Sequence, residues 1–144
     1  MVLASRSGKI KYDDQGLDER LDDIRKTGVH VVLERCDMGD EAQVVAMLDR
    51  IRKNLGELRV VVHAAGMLSD GRLDSQTEES MHRVFEPKAG GAWYLHKHTR
   101  EDKLEGFMMF SSVVSLFGNM GQINYSAANA YLDCLLYTSD AADE

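Results

Sequence analysis

The chain has 144 residues, of which 44% are hydrophobic, 28% charged and 7% aromatic, a composition that suits one globular domain better than two domains or a disordered tail. No run approaches the ~18 consecutive apolar residues of a membrane span, and the first residues lack the layout of a secretory signal. A net charge of −7 argues against nucleic acid as a partner, and two cysteines without paired spacing indicate neither disulfides nor a metal site.

The last eleven residues, CLLYTSDAADE from Cys134 to Glu144, resemble the translation of a transposase adapter that is used in short-read sequencing libraries. We therefore predict that residues 134–144 are not native and that the domain comprises residues 1–133. The alternative is a short acidic helical tail. Under either interpretation, function should not be inferred from these residues.

The first half of the domain alternates strands with helices. Residues 2–4 predict a strand that enters a polar loop, and leucine and isoleucine at helical spacing predict a helix from Leu17 up to Gly28. The β-branched run 29–33 predicts a second strand. Asp40 with Gln43 three positions later resembles a capping box. This capping box predicts the start of a helix that ends near Gly56 and buries Val44, Leu48 and Ile51.

The second half repeats this alternation. Residues 58–65 form a valine-rich run of the kind that is buried on both faces of a parallel sheet. Thr77 predicts the cap of the next helix, which is broken or kinked near Pro87. Residues 106–112 predict another buried strand, and residues 121–132 a last helix. Four alternations of strand and helix predict an α/β fold with a doubly wound parallel sheet.

Polar side chains meet at one edge of this predicted sheet. Tyr125 and Asn129, four residues apart, share a face of the last helix, and the preceding strand ends in Ser111 and Ser112 at the carboxyl edge, where α/β sheets bind ligands. Each feature has an ordinary alternative. A helical tyrosine is commonly a core or surface residue, and a Ser-Ser pair after a strand is commonly a turn or helix cap.

These features occur together in one order, and that combination resembles the ketoreductase domain of modular polyketide synthases, a relative of the short-chain dehydrogenases/reductases that is shared in outline with animal-type fatty acid synthase. The resemblance runs from Val2 to Asp133. The motifs that carry it are SRSG, the Cys36-Asp37 pair, HAAG, Leu68-Ser69-Asp70-Gly71, PKAGGAWYLH, FSS and the GQ-x-NYSAANAYLD run.

The resemblance implies a catalytic role for four residues. Tyr125 looks like the proton donor, Ser112 a hydrogen-bond donor to the substrate carbonyl, Lys88 the cation beside the tyrosine and the cofactor ribose, and Asn129 the residue that completes the polar network. An unperturbed tyrosine has a pKa near ~10, which an adjacent ammonium lowers. The alternative for Lys88 is a solvated helix lysine after a kinking proline.

The resemblance also implies a cofactor site for NADPH. Ser5 and Arg6 would contact the 2′-phosphate, and Asp37 would lie beside the adenine. Residues 64–66, which are Ala64, Ala65 and Gly66, leave room for a close approach of the backbone to the cofactor. The alternatives are an exposed cation in a polar loop for Arg6 and a turn residue for Asp37.

One segment bears on product stereochemistry. Leu68-Ser69-Asp70 resembles the Leu-x-Asp signature of ketoreductases that give the D-configured 3-hydroxy product. The tryptophan that marks the opposite class is replaced by Phe117, eight residues before Tyr125. The middle position is Ser69, where the strongest form of the signature has aspartate. The resemblance thus favours the D product.

The sequence has no G-x-G-x-x-G loop to hold a cofactor pyrophosphate. By resemblance, the chain covers the second strand of the nucleotide fold to the helix after the fifth strand, as a partial Rossmann-like sheet with its first strand missing. In the order 3-2-1-4-5-6, this leaves the pairs 3-2 and 4-5 without the strand between them. We therefore expect the polypeptide alone to be poorly stable and inactive.

The sequence as a whole predicts a 3-ketoacyl reductase that uses NADPH. Its substrate would be a 3-ketoacyl chain tethered through phosphopantetheine to an acyl carrier protein, in polyketide or fatty acid biosynthesis, with neighbouring synthase domains as further partners. Its expected location is the cytoplasm, with organelle targeting left open. Two alternatives remain: a noncatalytic structural α/β module of a synthase, and a free-standing short-chain dehydrogenase/reductase.

Overall fold

The computed structural model describes residues 1–10 and 15–140, the last of them by its backbone alone. Residues 141–144 of the predicted foreign tail lie outside this range. The chain divides into two compact units, one from Met1 to Asp37 and one from Met38 onwards. Within the described ranges, no helix is both long and apolar enough to cross a membrane.

The first unit is a strand-helix-strand segment. Strand β1 (Val2–Ser5) pairs in parallel with β2 (Val32–Arg35), and helix α1 (Leu17–Lys26) connects them and buries Leu21. The prediction that the second strand starts at residue 29 is wrong by three residues. The bonds to the first strand extend back only to His30, where the Met1 amino group donates to the His30 carbonyl at 2.7 Å and the Val32 N–H donates to the Met1 carbonyl at 3.0 Å.

The second unit contains the other parallel pair, β3 (Val60–His63) and β4 (Gly106–Met109). Burial alternates along β3, where Val61 and His63 are buried while Val60 and Val62 are 47% and 53% exposed. The prediction of strands buried on both faces is therefore wrong for this pair. One face is covered and the other is open, as the 52% exposure of Met108 in β4 also shows.

The second unit also contains helical elements. The 3₁₀ turn at Leu73–Ser75 and the short helix α5 (Val114–Phe117) were not predicted, and the last helix begins two residues later than its predicted start. The helical elements are α2 (Glu41–Leu55), α3 (Glu78–Phe85), a π-turn (Glu86–Gly90), α4 (Gly91–His98), α5 (Val114–Phe117) and α6 (Ile123–Asp140).

Helix α2 confirms its prediction. The Asp40 carboxylate accepts a hydrogen bond from the Gln43 backbone N–H at 3.1 Å and so satisfies a free donor of the first turn. The helix ends at Gly56, whose φ of 94° is in the range that favours glycine. Its buried residues include the three predicted ones, and they are Val44, Met47, Leu48 and Ile51.

The break near Pro87 is a single π-turn. Thr77 caps α3 as predicted, with reciprocal bonds between Thr77 and Ser80. Pro87 has no N–H to continue the α-helical pattern, and after it the Gly91 N–H reaches the carbonyl of Glu86 five residues back. The widened turn buries Lys88 and Ala89. A lysine is thereby directed into the unit's interior.

Helix α6 packs its apolar side against α4. Ala92, Leu132 and Leu135 form a buried cluster with Met109 and Tyr131 against it. Leu135 belongs to the segment that the sequence predicts to be foreign, and α6 continues through it. The helix does not test where that segment comes from. The fold class is confirmed as α/β with parallel strands, in two separate pairs.

Candidate active site

The carboxyl ends of β3 and β4 define the edge where the polar residues gather. His63 is in register with Met109, so residues 64–66 and 110–112 leave the sheet side by side. The Phe110 N–H donates to the His63 carbonyl at 3.0 Å, which extends the pairing by one residue. This edge is the one that α/β sheets use for ligands.

Lys88 reaches this edge from the π-turn. The residue is only 4% exposed, and its Nζ donates to the Phe110 carbonyl at 2.9 Å. A Cβ added at Gly66 would lie 3.7 Å from the same Nζ. Burial lowers the pKa of the Lys88 ammonium. In the part of the chain that the structure describes, no carboxylate lies within ion-pair distance of it.

Tyr125 lies beside this ammonium. Lys88 Nζ is 5.3 Å from the centroid of the Tyr125 ring, within the range of a cation–π contact. The phenol and the ammonium therefore lie on the same side of the β3–β4 pair. The resemblance requires that these two residues lie close together. Their proximity alone assigns no catalytic role to either residue.

Asn124 fixes the start of the helix that carries Tyr125. Its side chain is fully buried, and its Oδ1 accepts the Tyr125 backbone N–H at 2.7 Å. Its Nδ2 donates to the Ser69 carbonyl at 2.8 Å and to Gln76 Oε1 at 3.2 Å. One amide thus links the first turn of α6 to two other segments of the chain.

Asn129 is fully buried one turn further along α6. Its Nδ2 donates to the Tyr125 carbonyl at 2.7 Å, and Ser111 Oγ donates to the Asn129 carbonyl at 3.3 Å. Its Oδ1 is buried and has no hydrogen-bond partner among the described residues. Because such an acceptor is costly to leave unpaired, it is a ready partner for a bound water or ligand.

Ser112 stands at the turn into α5. Its Oγ accepts the Val114 N–H at 3.4 Å, and its carbonyl accepts from Ser115 Oγ at 2.8 Å. The hydroxyl therefore has the capping contact that was the alternative interpretation. That contact uses a lone pair only, so the hydroxyl proton is free to be donated to another group.

The remaining predicted cofactor residues lie in the first unit. Ser5 ends β1 and pairs in register with Arg35, so Arg6 and Asp37 follow the same edge of that sheet. Ser5 Oγ accepts the Gly8 N–H at 3.1 Å, which closes a turn with Arg6 exposed on it. A groove of about 370 Å³ at this turn is lined by Ser5, Arg6 and Lys9, among others.

Two residues of the site were not singled out by sequence reasoning. They are His63, which is buried beside Lys88, and Asn124. Both belong to the quoted motifs HAAG and GQ-x-NYSAAN, yet neither had an assigned role. A histidine at the end of a valine-rich strand was the available signal, because a buried imidazole needs a hydrogen-bond partner.

The site can stabilise and protonate an oxygen. The Lys88 ammonium lies 5.3 Å from the ring centroid of Tyr125, whose phenol carries a proton that can be donated to an oxygen. A serine hydroxyl with a free proton can stabilise negative charge that develops on a carbonyl oxygen. A Cβ at Gly66 would be in van der Waals contact with Lys88 Nζ at 3.7 Å, so the ammonium lies against the backbone of this glycine.

Comparison with known proteins identifies the class. A family model described as "KR domain" matches residues 1–143, and the chain belongs to this family of polyketide synthase ketoreductase domains in the short-chain dehydrogenase/reductase superfamily. It is 43% identical over 135 residues to polyketide synthase GfsB of Streptomyces halstedii, covering 94% of this chain and 2% of that synthase. The resemblance inferred from the motifs is confirmed.

Solved structures agree. The chain is similar to a ketoreductase domain from the bacillaene assembly line, with a TM-score of 0.86 and 30% identity, covering 99% of this chain and 33% of that one. It is also similar to the first ketoreductase of the tylosin polyketide synthase, with a TM-score of 0.82 and 35% identity, covering 99% and 30%. Such domains are NAD(P)-dependent oxidoreductases.

The chain is short beside its relatives. It spans 2–9% of the length of the curated synthases that it matches.

Proposed function

We propose that this chain contributes the catalytic centre of an NADPH-dependent 3-ketoacyl reductase. The substrate is a 3-ketoacyl thioester carried by phosphopantetheine on an acyl carrier protein, and the product is the 3-hydroxyacyl thioester. The observation that carries the proposal is the buried Lys88 ammonium, which lies 5.3 Å from the Tyr125 ring at the carboxyl edge of a parallel strand pair. Membership of the ketoreductase family supports it.

Each residue has a defined task in this reaction. Tyr125 delivers a proton to the carbonyl oxygen, and Lys88 favours the phenolate that is left behind. Ser112 keeps its proton and donates a hydrogen bond from its hydroxyl to the same oxygen, which stabilises the charge that develops there. Asn129 holds the Tyr125 carbonyl, and its buried Oδ1, which has no partner among the described residues, remains able to accept a hydrogen bond.

NADPH, when bound, supplies the hydride. We propose that Arg6 and Ser5 hold its 2′-phosphate, because a guanidinium forks onto phosphate oxygens with matching shape and charge. Asp37 contacts the adenine, and the backbone of Ala64, Ala65 and Gly66 borders the cofactor beside Lys88. The exposed Arg6 at a groove supports the contact to the 2′-phosphate, and the position of Gly66 against Lys88 Nζ supports the placement of residues 64–66 beside the cofactor.

The cost of burying Lys88 favours an enzyme over a structural module. An ammonium that is 4% exposed and has only a backbone carbonyl as hydrogen-bond partner in the described residues carries a desolvation penalty. A purely structural module would be more stable with an apolar side chain there. The synthase relatives favour a carrier protein and neighbouring domains as partners over a free-standing reductase.

We also propose the D-configured 3-hydroxy product. The Leu68-Ser69-Asp70 segment is tied to the helix that carries the acid, because Gln122 Nε2 donates to Asp70 Oδ2 at 3.0 Å. Phe117, where the opposite class has tryptophan, is 85% exposed and clear of this contact. Chiral analysis of the 3-hydroxy product tests the assignment, which an L product would overturn.

Substitution of Tyr125 tests the proposed function. In the product of the complete reading frame, Tyr125→Phe keeps the ring beside Lys88 and removes the phenolic proton. We expect NADPH affinity to be nearly unchanged while turnover of a 3-ketoacyl thioester falls by about 10²-fold or more.

Tyr131→Phe is the matched control, since it removes a hydroxyl from the same helix, where the ring packs edge-on against Phe85. Turnover of this control should match that of the unmodified protein. Undiminished turnover in Tyr125→Phe would contradict the assignment of the acid.

A further inference from the structure

His63 contacts the backbone of the lysine rather than its charge. The residue ends β3, is 2% exposed, and its Nε2 lies 2.8 Å from the Lys88 carbonyl oxygen. A carbonyl only accepts hydrogen bonds, so the ring must carry its proton on Nε2 to make this contact. Burial and the nearby Lys88 charge lower the pKa of the His63 ring, which keeps it neutral.

Three hydrogen bonds close a ring around this contact. His63 Nε2 donates to the Lys88 carbonyl at 2.8 Å, Lys88 Nζ donates to the Phe110 carbonyl at 2.9 Å, and the Phe110 N–H donates to the His63 carbonyl at 3.0 Å. The lysine is therefore held at its backbone and at its tip. Both partners come from the strand pair that forms the floor of the site.

The π-turn leaves space for the imidazole. A Cβ at Gly91, the residue after the turn, would lie 3.1 Å from His63 Cε1 and 2.9 Å from the Met38 carbonyl. The absence of a side chain at Gly91 thus allows the helix to approach the His63 ring closely. The widened turn then presents the Lys88 carbonyl to the ring.

We propose that His63 is a positioning residue for the reduction: its Nε2–H holds the Lys88 backbone in the π-turn and so sets the ammonium beside the Tyr125 ring. This inference rests on the proposed function for its catalytic meaning. The placement of Lys88 is a separate, structural claim, and it can be measured without turnover.

Two substitutions of His63 with side chains of nearly equal shape separate the effect of its hydrogen bond from the effect of its packing. His63→Gln keeps an N–H donor at the end of an unbranched side chain, and His63→Met has the same length without a donor. In the product of the complete reading frame, we expect His63→Met to lower kcat by about 10-fold or more with the KM for the thioester changed by less than about 2-fold, because displacement of the Lys88 ammonium weakens stabilisation of the transition state. His63→Gln should restore most of kcat.

A spectroscopic readout tests the placement itself. Lys88 ε-protons near the Tyr125 ring should show a ring-current shift in the unmodified protein and in His63→Gln, and lose it in His63→Met. Histidine ¹⁵N shifts of the unmodified protein should show the neutral Nε2–H tautomer, and this measurement needs no variant to fold. An Nδ1–H tautomer, or a ring-current shift retained in a folded His63→Met, would overturn the inference.

The two failures are distinguishable. If the unmodified protein reduces no 3-ketoacyl thioester but the tautomer and the shifts are as expected, the proposed function fails and the positioning of Lys88 by His63 stands. If the protein is active and His63→Met retains kcat, the positioning role is overturned and the reductase is not.

Discussion

The polar residues around Tyr125 fall into two groups by what they touch. Lys88 and Asn129 contact the tyrosine itself, through its ring and its carbonyl, whereas Asn124 and His63 act on the backbone that carries Tyr125 or Lys88. Buried polar groups of the second kind are costly unless they are fully bonded. Their retention in the core is explained by the geometry that they impose on the first group.

Asn124→Ala should destabilise the protein by about 2–3 kcal/mol, because it leaves the Ser69 carbonyl without its buried donor and the Tyr125 N–H without its acceptor. Urea denaturation measures the free energy of unfolding. Asn54→Ala, the same substitution on the exposed face of α2, is the control, with an expected change within ~0.5 kcal/mol. Equal effects from both substitutions would show that the Asn124 amide bonds do not contribute.

For single residues, the sequence predicted which residues belong to the site better than it predicted their contacts. Tyr125, Lys88 and Asn129 were named from their order along the chain, and the structure brings them together. It could not be read from the sequence that the Lys88 ammonium would bind the Phe110 carbonyl or that the Asn124 amide would bind the Ser69 carbonyl. These contacts join segments that are far apart along the chain, and no local spacing encodes them.

The π-turn is the element on which the site depends. A regular α-helix through Pro87 would lack one backbone hydrogen bond and would clash with the proline ring. Widening by one residue relieves the clash, and single π-turns of this kind are frequent at functional sites. The position of Lys88 also depends on the close packing of α4 against Met38 and His63. Substitution of Gly91, at the start of α4, tests this packing.

Gly91→Ala should lower the free energy of unfolding by about 1–3 kcal/mol, since the added Cβ would meet the Met38 carbonyl at 2.9 Å and backbone cannot easily move away. The better helix propensity of alanine offsets only part of this. Gly106→Ala is the matched control because its Cβ would meet only Val60 Cγ1 at 3.9 Å. Thermal denaturation compares the two, and an unchanged Gly91→Ala would mean that the helix shifts without cost.

The existence of the elements could be predicted, and their edges less so. Capping at Asp40 and Thr77 and the break at Pro87 are local chemistry, so they were visible in the sequence. The start of β2 and the open face of β3 could not be predicted from the sequence, because both depend on which strand lies next to them in the sheet. Helix α5 was missed because four residues are too few to show a hydrophobic period.

Over the whole molecule, the sheet is present as two separate parallel pairs. Two-stranded sheets are marginal on their own, and here they leave apolar strand residues such as Val60, Val62 and Met108 about half exposed. The pairing of β1 with β2 and of β3 with β4 agrees with the expected strand order. That order came from family resemblance, since periodicity alone cannot say which strands are neighbours.

We predict that the 144-residue polypeptide, expressed by itself, does not oxidise NADPH in the presence of a 3-ketoacyl thioester, because open strand faces leave both units poorly stabilised. Nicotinamide absorbance measures the reaction, and dye binding reports the exposed apolar surface. The product of the complete reading frame, assayed alongside, should be active. Measurable oxidation by the 144-residue polypeptide would refute this prediction.

The extra residue in the turn at Glu86–Gly90 also sets the rotational phase of one helix against the next. Each residue of an α-helix advances the direction of its side chain by about 100°. Deleting Ala89 would remove the extra residue, and every side chain of α3 would then rotate by that angle relative to α4. Val84, now fully buried, would be carried toward a different neighbour. A one-codon deletion in this turn would therefore change which face of α3 meets the core.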